Sequence, residues 1–462
     1  MGELVNHTNI KNVFLNFQGT EEQLEDYVEK EGIAFLERLE GTFGHAYERH
    51  NKIKAFTDWV GQYPLYFLLV KDKKGDLKRV IFANDITTLL SDLDYAYKNV
   101  YRVPPSHLVT IDSEKGDIEF QRYYTLPRYS REEVIEKVGR KIEEIGMNYR
   151  KILYEEVEKR LPPVGTKIGL ALGGIDSLQV LKILLDLRHN DVISYNIEGE
   201  DTPRSREVAA ILGVDLREIR IPKGELLEND HRLINDILDN IEDFDSLDVY
   251  TGFACYLIYK AMHRDGIEVV AIGNGGNEWS GKYTSSKWFQ IDQDSLLEIS
   301  ARRRLASGYP PTSGFYHQQL GGALTKGLSV YDLKLAHKFG IDRAIEPLIG
   351  KTLMEFALNI PPDYFRFGRD EINNCFSGLV KTKLLSSLDY IPKGKKGEYI
   401  IARLPVVYHA FKNDIPEVLI PVGGSRFYDS VGITGILDSI GGDDYILRRF
   451  NTRYKANESR KR

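Results

Sequence analysis

Residues 170–179 read LALGGIDSLQ. An apolar run stops on Gly173-Gly174, and Asp176 and Ser177 follow just where a helical pattern begins. Such a strand-to-helix turn suits an anion. Glycines let the backbone approach phosphate oxygens, and the N–H groups opening the helix face them with the favourable end of its dipole. Asp176 is unwelcome beside bare phosphate unless a divalent cation lies between them, which favours Mg²⁺–pyrophosphate. A carboxylate at a helix start also serves as a plain N-cap. The rest of the chain has to separate the two readings.

Working outward, an α/β alternation surrounds this turn. Strand KIGLAL (167–172) leads to helix SLQVLKILLDLRH, strand VISYNI to helix PRSREVAAILG, and REIRI (217–221) follows. A long helix LDVYTGFACYLIYKAMHRDG then precedes strand EVVAIG (268–273). Strands spaced by helices predict a parallel sheet covered on both faces, with its ligand crevice at the carboxyl ends of the strands. Beyond about residue 285 the pattern is mostly helical. Upstream, SREEVIEKVGRKIEEIGMNYRKILYEEVEKRL (130–161) is predicted as a helix, opened by a Ser130/Glu133 capping box and stopped by Pro162-Pro163.

The first ~125 residues read differently, as short β-branched and aromatic runs between turn clusters. KNVFLNF, IKAFTDWV, YPLYFLLV, RVIFAND, LVTID and IEFQRYYTL are predicted strands, and EEQLEDYVEKEGIAFLERL (21–39) a helix. Two domains meeting near residues 125–130 are expected for 462 residues.

Composition narrows the function classes. With 62 basic and 68 acidic side chains the net charge is -6, which gives no reason to expect nucleic acid as a partner. The basic end RRFNTRYKANESRKR reads as a solvated terminus. Cys255 and Cys375 are too far apart for a metal or disulfide spacing and read as buried thiols. MGELVNHTNI has no signal-peptide pattern, Asn6 breaks the myristoylation pattern, and no apolar run reaches the length of a membrane span. A cytoplasmic protein is expected.

The turn, the segment ISYNIEGEDTPRSREVAAILGV and GIEVVAIGNGGNEWSGKY together resemble the synthetase domain of the asparagine synthetase B family. AHKFGIDRAIEPLIGKTLMEFALNIP is similar to that family's segment ending in Arg-x-Pro-Phe-Leu-Asp. LEGTFGHAYE, DWVGQYPLYF and VYRVPPSHLVTID look like the second half of its glutaminase domain. The resemblance covers roughly residues 12 to 400, in one order.

This resemblance implies an α/β fold. Residues 1–128 are expected to form a truncated, degenerate Ntn-hydrolase-like (glutaminase-like) β-rich domain. Residues 129–462 are expected to form a doubly wound PP-loop ATP pyrophosphatase domain with a helical C-terminal part. It also implies ATP and Mg²⁺, adenylation of a small-molecule or peptide carboxylate, and attack by an amine. Leu170, Leu172, Gly173, Gly174, Asp176, Ser177, Gly273 and Gly275 would then lie along the nucleotide. Asp176, Asn277 and Glu278 would hold the metal, and Asn274, Lys395 and Lys396 would be catalytic.

Departures from the family pattern qualify these expectations. Gly2 stands where the glutaminase cysteine is expected, so glutamine hydrolysis is not. Leu172 replaces the loop's first serine, and Asn277 replaces a metal-binding aspartate with a weaker, uncharged ligand. Asn274 stands where asparagine-forming members have glutamate and β-lactam-forming members tyrosine, which disfavours asparagine synthesis. Lys393, Lys395 and Lys396 suit a solvated basic loop as well as a site. Arg343 is a further candidate, with Glu346 and His337 beside it read as structural. Two functions stay open: an AMP-forming amide or lactam ligase without glutamine hydrolysis, and an inactive scaffold binding a protein partner or a second copy of itself.

Overall fold

The computed structural model describes residues 3–8, 10–84, 88–89, 100–127, 129–188, 191–199, 202–220, 231–241, 246–276, 328–341, 343–357, 359–360, 366–368, 399–401 and 404–411. The N-terminal part runs β1 (Glu3–His7), β2 (Val13–Phe14), α1 (Glu21–Glu31), α2 (Ile33–Arg38), β3 (Gly41–Thr42) and β4 (Gly44–Arg49). It continues through β5 (Lys52–Thr57), β6 (Tyr66–Lys71), β7 (Leu77–Ala83), β8 (Val100–Arg102), β9 (His107–Asp112) and β10 (Ile118–Arg122). Two four-stranded sheets result, ordered β1-β7-β6-β8 and β10-β9-β5-β4. Only β1 and β7 pair parallel within them.

The sheets face each other, as their alternating apolar residues require. Ala46, Ile53, Ala55, Val109 and Ile111 of one meet Phe67, Val80 and Phe82 of the other. On the outer side of the β4–β5 sheet, Phe56 and Leu108 pack under Leu24, Val28 and Leu36 of α1 and α2. The 21–39 stretch is therefore two helices and not one. Gly32, at φ 60°, ends the first, which Thr20 and Gln23 open with a capping box. Likewise the stretch from 130 begins with the expected Ser130/Glu133 box but breaks at Gly139, φ 126°, before α3 (Ile142–Glu158). Of KNVFLNF only Val13–Phe14 is strand.

The α/β part follows as β11 (Ile168–Ala171), α4 (Ile175–Arg188), β12 (Val192–Ile197), α5 (Thr202–Leu212) and β13 (Asp215–Ile219). Then come α6 (Arg232–Ile241), α7 (Ser246–Arg264), β14 (Val269–Ala271), α8 (Leu328–Lys338), β15 (Arg343–Ile345), α9 (Lys351–Ala357) and α10 (Leu404–Phe411). All five strands are parallel, ordered β13-β12-β11-β14-β15. Ile168, Leu170 and Val192 point to one face, against α4 and α5 residues such as Leu181 and Val208. Tyr195 and Ile197 point to the other, against Phe253, Leu257 and Met262 of α7 and Leu335 of α8. The strand order reverses direction between β11 and β14, the switch point at which such sheets open a crevice.

One apolar core joins the N-terminal helices to this α/β part. Leu24 and Leu36 belong to the same cluster as Tyr149 and Leu153 of α3, Met354 of α9 and Phe411 of α10. Polar ties cross the same boundary. Lys351 donates to the Glu37 carbonyl at 2.6 Å and lies 4.1 Å over the Tyr124 ring. Tyr124 in turn donates to Glu355 at 2.6 Å.

Candidate active site

The turn after β11 is organised by its own serine. Ser177 Oγ accepts from the Gly173 N–H at 3.1 Å and donates to the Gly174 carbonyl at 3.0 Å. Helix α4 starts at Ile175, so Asp176 sits inside the first turn instead of at the N-cap. Its Oδ1 accepts from the Gln179 amide at 3.3 Å, and Gln179 is held by the buried Tyr149 hydroxyl at 2.8 Å. A three-residue chain thus aims the carboxylate. A Cβ built on Gly173 or Gly174 meets nothing within 4 Å, so both glycines border open space. Leu170 and Leu172 are core residues, 0% and 3% exposed. Anything they offer a ligand comes from the backbone.

The second glycine motif, after β14, closes on the first. A Cβ on Gly273 would lie 2.7 Å from the Ser177 nitrogen and 2.9 Å from the Asp176 carbonyl carbon. One on Gly276 would lie 2.2 Å from Asp176 Oδ1. Gly275, at φ 110°, presses against Leu348 and Ile349. Two motifs about a hundred residues apart in sequence therefore flank the switch point as one crevice, and only glycine fits where they touch.

Asn274, between these glycines, is anchored from behind. Its amide nitrogen donates to Asp332 Oδ2 at 2.5 Å and, at the limit of a hydrogen bond, to Glu346 Oε1 at 3.5 Å. Carboxylates accept, so the amide's orientation is fixed and Oδ1 remains as its acceptor. Asp332, 3% exposed, also accepts from Tyr259 at 2.6 Å. Burial pushes its carboxyl above the usual range against the pull of Tyr259, Asn274 and Cys255. Burial and then Asp332 raise the half-buried Cys255 thiol. Glu346, 4% exposed, accepts from Gln62 of the N-terminal part. Gln62 is presented by a turn that Asp58 organises: its carboxylate accepts from the N–H groups of Val60, Gln62 and Tyr63 at 3.2, 2.9 and 2.9 Å.

Sequence reasoning missed Asp332 and Gln62 and read Glu346 only as structural. No spacing marks these residues, because each acts across a long loop closure. Arg343 lies half-buried near Arg160 in an open cleft between the two parts, walled also by Gly41, Gln62 and Glu346. Burial and then Arg160 lower its pKa. Asn277, Glu278, Lys395, Lys396 and Cys375 lie outside the described residues. Among the described residues no group of three His, Cys, Asp or Glu is placed to hold a metal, and no helix is long and apolar enough to cross a membrane.

A parallel sheet with glycine-lined loops converging at its switch point defines the class: α/β proteins that take their ligand at the strand ends. Comparison narrows it. Residues 148–337 match the asparagine synthase family. Asparagine synthetase (glutamine-hydrolyzing) of Sandersonia aurantiaca is 25% identical over 357 residues, 73% of this chain and 59% of that protein. The enzyme of the same name from Zea mays is 23% identical over 398 residues, 80% of this chain and 59% of that protein. The likeness to the asparagine synthase family is carried by residues 148–337, and the chain spans about three-fifths of the length of the curated relatives it matches.

Proposed function

We propose that this protein is an ATP-dependent, AMP-forming ligase that joins a carboxylate to an amine as an amide or lactam, without hydrolysing glutamine. The observation that carries the reading is the convergence of the two glycine motifs on Asp176 and Ser177, with open space before Gly173 and Gly174. Those features fit the polyphosphate of ATP. The N–H groups at the start of α4 neutralise its charge, and Asp176, aimed by Gln179 and Tyr149, holds Mg²⁺. A carboxylate oxygen of the acid attacks the α-phosphorus and pyrophosphate leaves. The amine nitrogen then attacks the acyl carbon, losing a proton as AMP departs.

Asn274 Oδ1 accepts an N–H of the incoming amine, because both its own N–H groups are committed to Asp332 and Glu346. Lys395 and Lys396 are proposed to offset charge at the acyl-adenylate. Independence from glutamine is supported by the cysteine inventory: no cysteine occurs among residues 1–128 of the sequence.

Calorimetric titration with a non-hydrolysable Mg-ATP analogue tests the reading, beside an Asp176→Ala variant. Saturable, Mg²⁺-dependent binding that the variant loses is expected, followed by pyrophosphate release with the right acid. A folded protein that binds no nucleotide at millimolar concentration refutes it and leaves the scaffold function.

A further inference from the structure

Arg204 and Arg206 stand two residues apart on α5, and one shows what the other lacks. Arg206 is exposed and uses Nε and Nη2 to grip both oxygens of Glu218, each at 2.6 Å. This is the side-on fork by which guanidinium takes a carboxylate or phosphate. Arg204 presents the same two atoms, Nε and Nη2, wholly out of solvent and without a hydrogen-bond partner. Its Nη1 donates to Glu207 at 3.2 Å, which fixes the plane of the group. Among the described residues it is the guanidinium with two orphaned donors.

Leaving buried donors unmade costs about 1–3 kcal/mol each, a cost that proteins retain chiefly at functional sites. Arg204 also sits in a rigid place. Thr202 Oγ1 accepts from the Gly199 N–H at 2.7 Å and donates to Asn196 Oδ1 at 2.8 Å. Asn196 Nδ2 and Ser205 Oγ both donate to the Leu172 carbonyl, at 2.9 and 3.3 Å. The first turn of α5 is thereby fastened to the residue that precedes Gly173, beside the crevice.

We propose that Arg204 is a binding residue for an oxyanion that offers two oxygens side by side, a carboxylate or phosphate group, at the carboxyl end of β12. The site uses none of the residues assigned to the nucleotide. Its natural occupant is a carboxylate of the acid substrate, an attribution that rests on the ligase reading.

Thermal melting of the full chain tests this, with sodium phosphate and sodium succinate as probes against sodium chloride of matched ionic strength. Wild-type protein, Arg204→Met and Gly173→Ala are compared. Either probe should raise the wild-type and Gly173→Ala midpoints and leave Arg204→Met unmoved. In chloride alone Arg204→Met should be at least as stable as wild type, since two unsatisfied buried donors have been removed and the pair lost with Glu207 is partly exposed. A shift with succinate alone identifies a carboxylate site, and one with phosphate alone a phosphate site. No shift in wild type, an equal shift in Arg204→Met, or a variant markedly less stable in chloride overturns the proposal. Titration of Arg204→Met with the Mg-ATP analogue separates the two readings, because nucleotide binding should persist within roughly tenfold whatever the melting result.

Discussion

Gly173→Ala separates a glycine kept for the fold from one kept for a ligand, because the two roles move stability and binding in different ways. Nothing lies within 4 Å of the added methyl, and the backbone is not in the left-handed region. Restricting the unfolded chain at such a position stabilises by about 0.4–1 kcal/mol, or roughly 1–4 °C in Tm for units of this size. A bound phosphate oxygen, however, must come within about 2.9 Å of a loop N–H, and a methyl in that space keeps it away. Losing one or two charge-assisted hydrogen bonds at about 1.5–3 kcal/mol each weakens affinity by about ten- to ten-thousand-fold. Melting without nucleotide and calorimetry with the Mg-ATP analogue give the two numbers. The expected outcome is a Tm unchanged or raised and an affinity reduced at least tenfold. Unchanged affinity would place the nucleotide elsewhere, and a fall in Tm of several degrees would make Gly173 structural.

Gly273→Ala is expected to do the opposite on stability: its methyl overlaps backbone atoms of Asp176 and Ser177, costing about 1–3 kcal/mol in denaturant melts while also weakening nucleotide binding. Tyr149→Phe strips Gln179 Oε1 of a 2.8 Å donor in the core. A stability loss of about 1–3 kcal/mol and a weaker Mg²⁺ dependence of nucleotide binding should follow, and an unchanged metal titration would deny Gln179 its aiming role. Asp58 supplies a pH effect. Burial, outweighing its backbone N–H donors, pushes its carboxyl up to about 6 from 3.8. The folded state then holds a proton that the unfolded state has released, so this group's contribution to stability falls as pH rises from about 4 to 6. Urea midpoints of wild type and Asp58→Asn should therefore diverge differently at the two ends of that window; a constant difference would show that Asp58 does not titrate there.

The parallel sheet was legible because β11, β12 and β14 are short apolar runs bounded by glycine or charge, and their helices have the matching period. The glycine turns were legible because close approach leaves few alternatives to glycine. Helix continuity at Gly32 and Gly139 was not. Apolar spacing carries across both positions and hides the break, which each glycine makes by taking a positive φ. The supports of Asn274 were hidden for another reason. Asp332 and Glu346 lie 58 and 72 residues away, and Gln62 is 284 residues from the glutamate it contacts. Buried polar partners at such separations leave no local period, and an isolated Asp, Glu or Gln looks the same whether it faces water or an amide.

The core that runs from Leu24 and Leu36 to Tyr149, Met354 and Phe411 has an evolutionary consequence. Tyr149 is at once a wall of that core and the first link of the chain that aims Asp176. Gln62 ties the N-terminal sheets to the glutamate behind Asn274. Selection acting on the crevice alone therefore preserves the N-terminal half, whether or not that half retains chemistry of its own. Gene fission between the two parts would expose a wide apolar surface on each. Point substitutions outside this shared core are accordingly borne there more easily than a deletion.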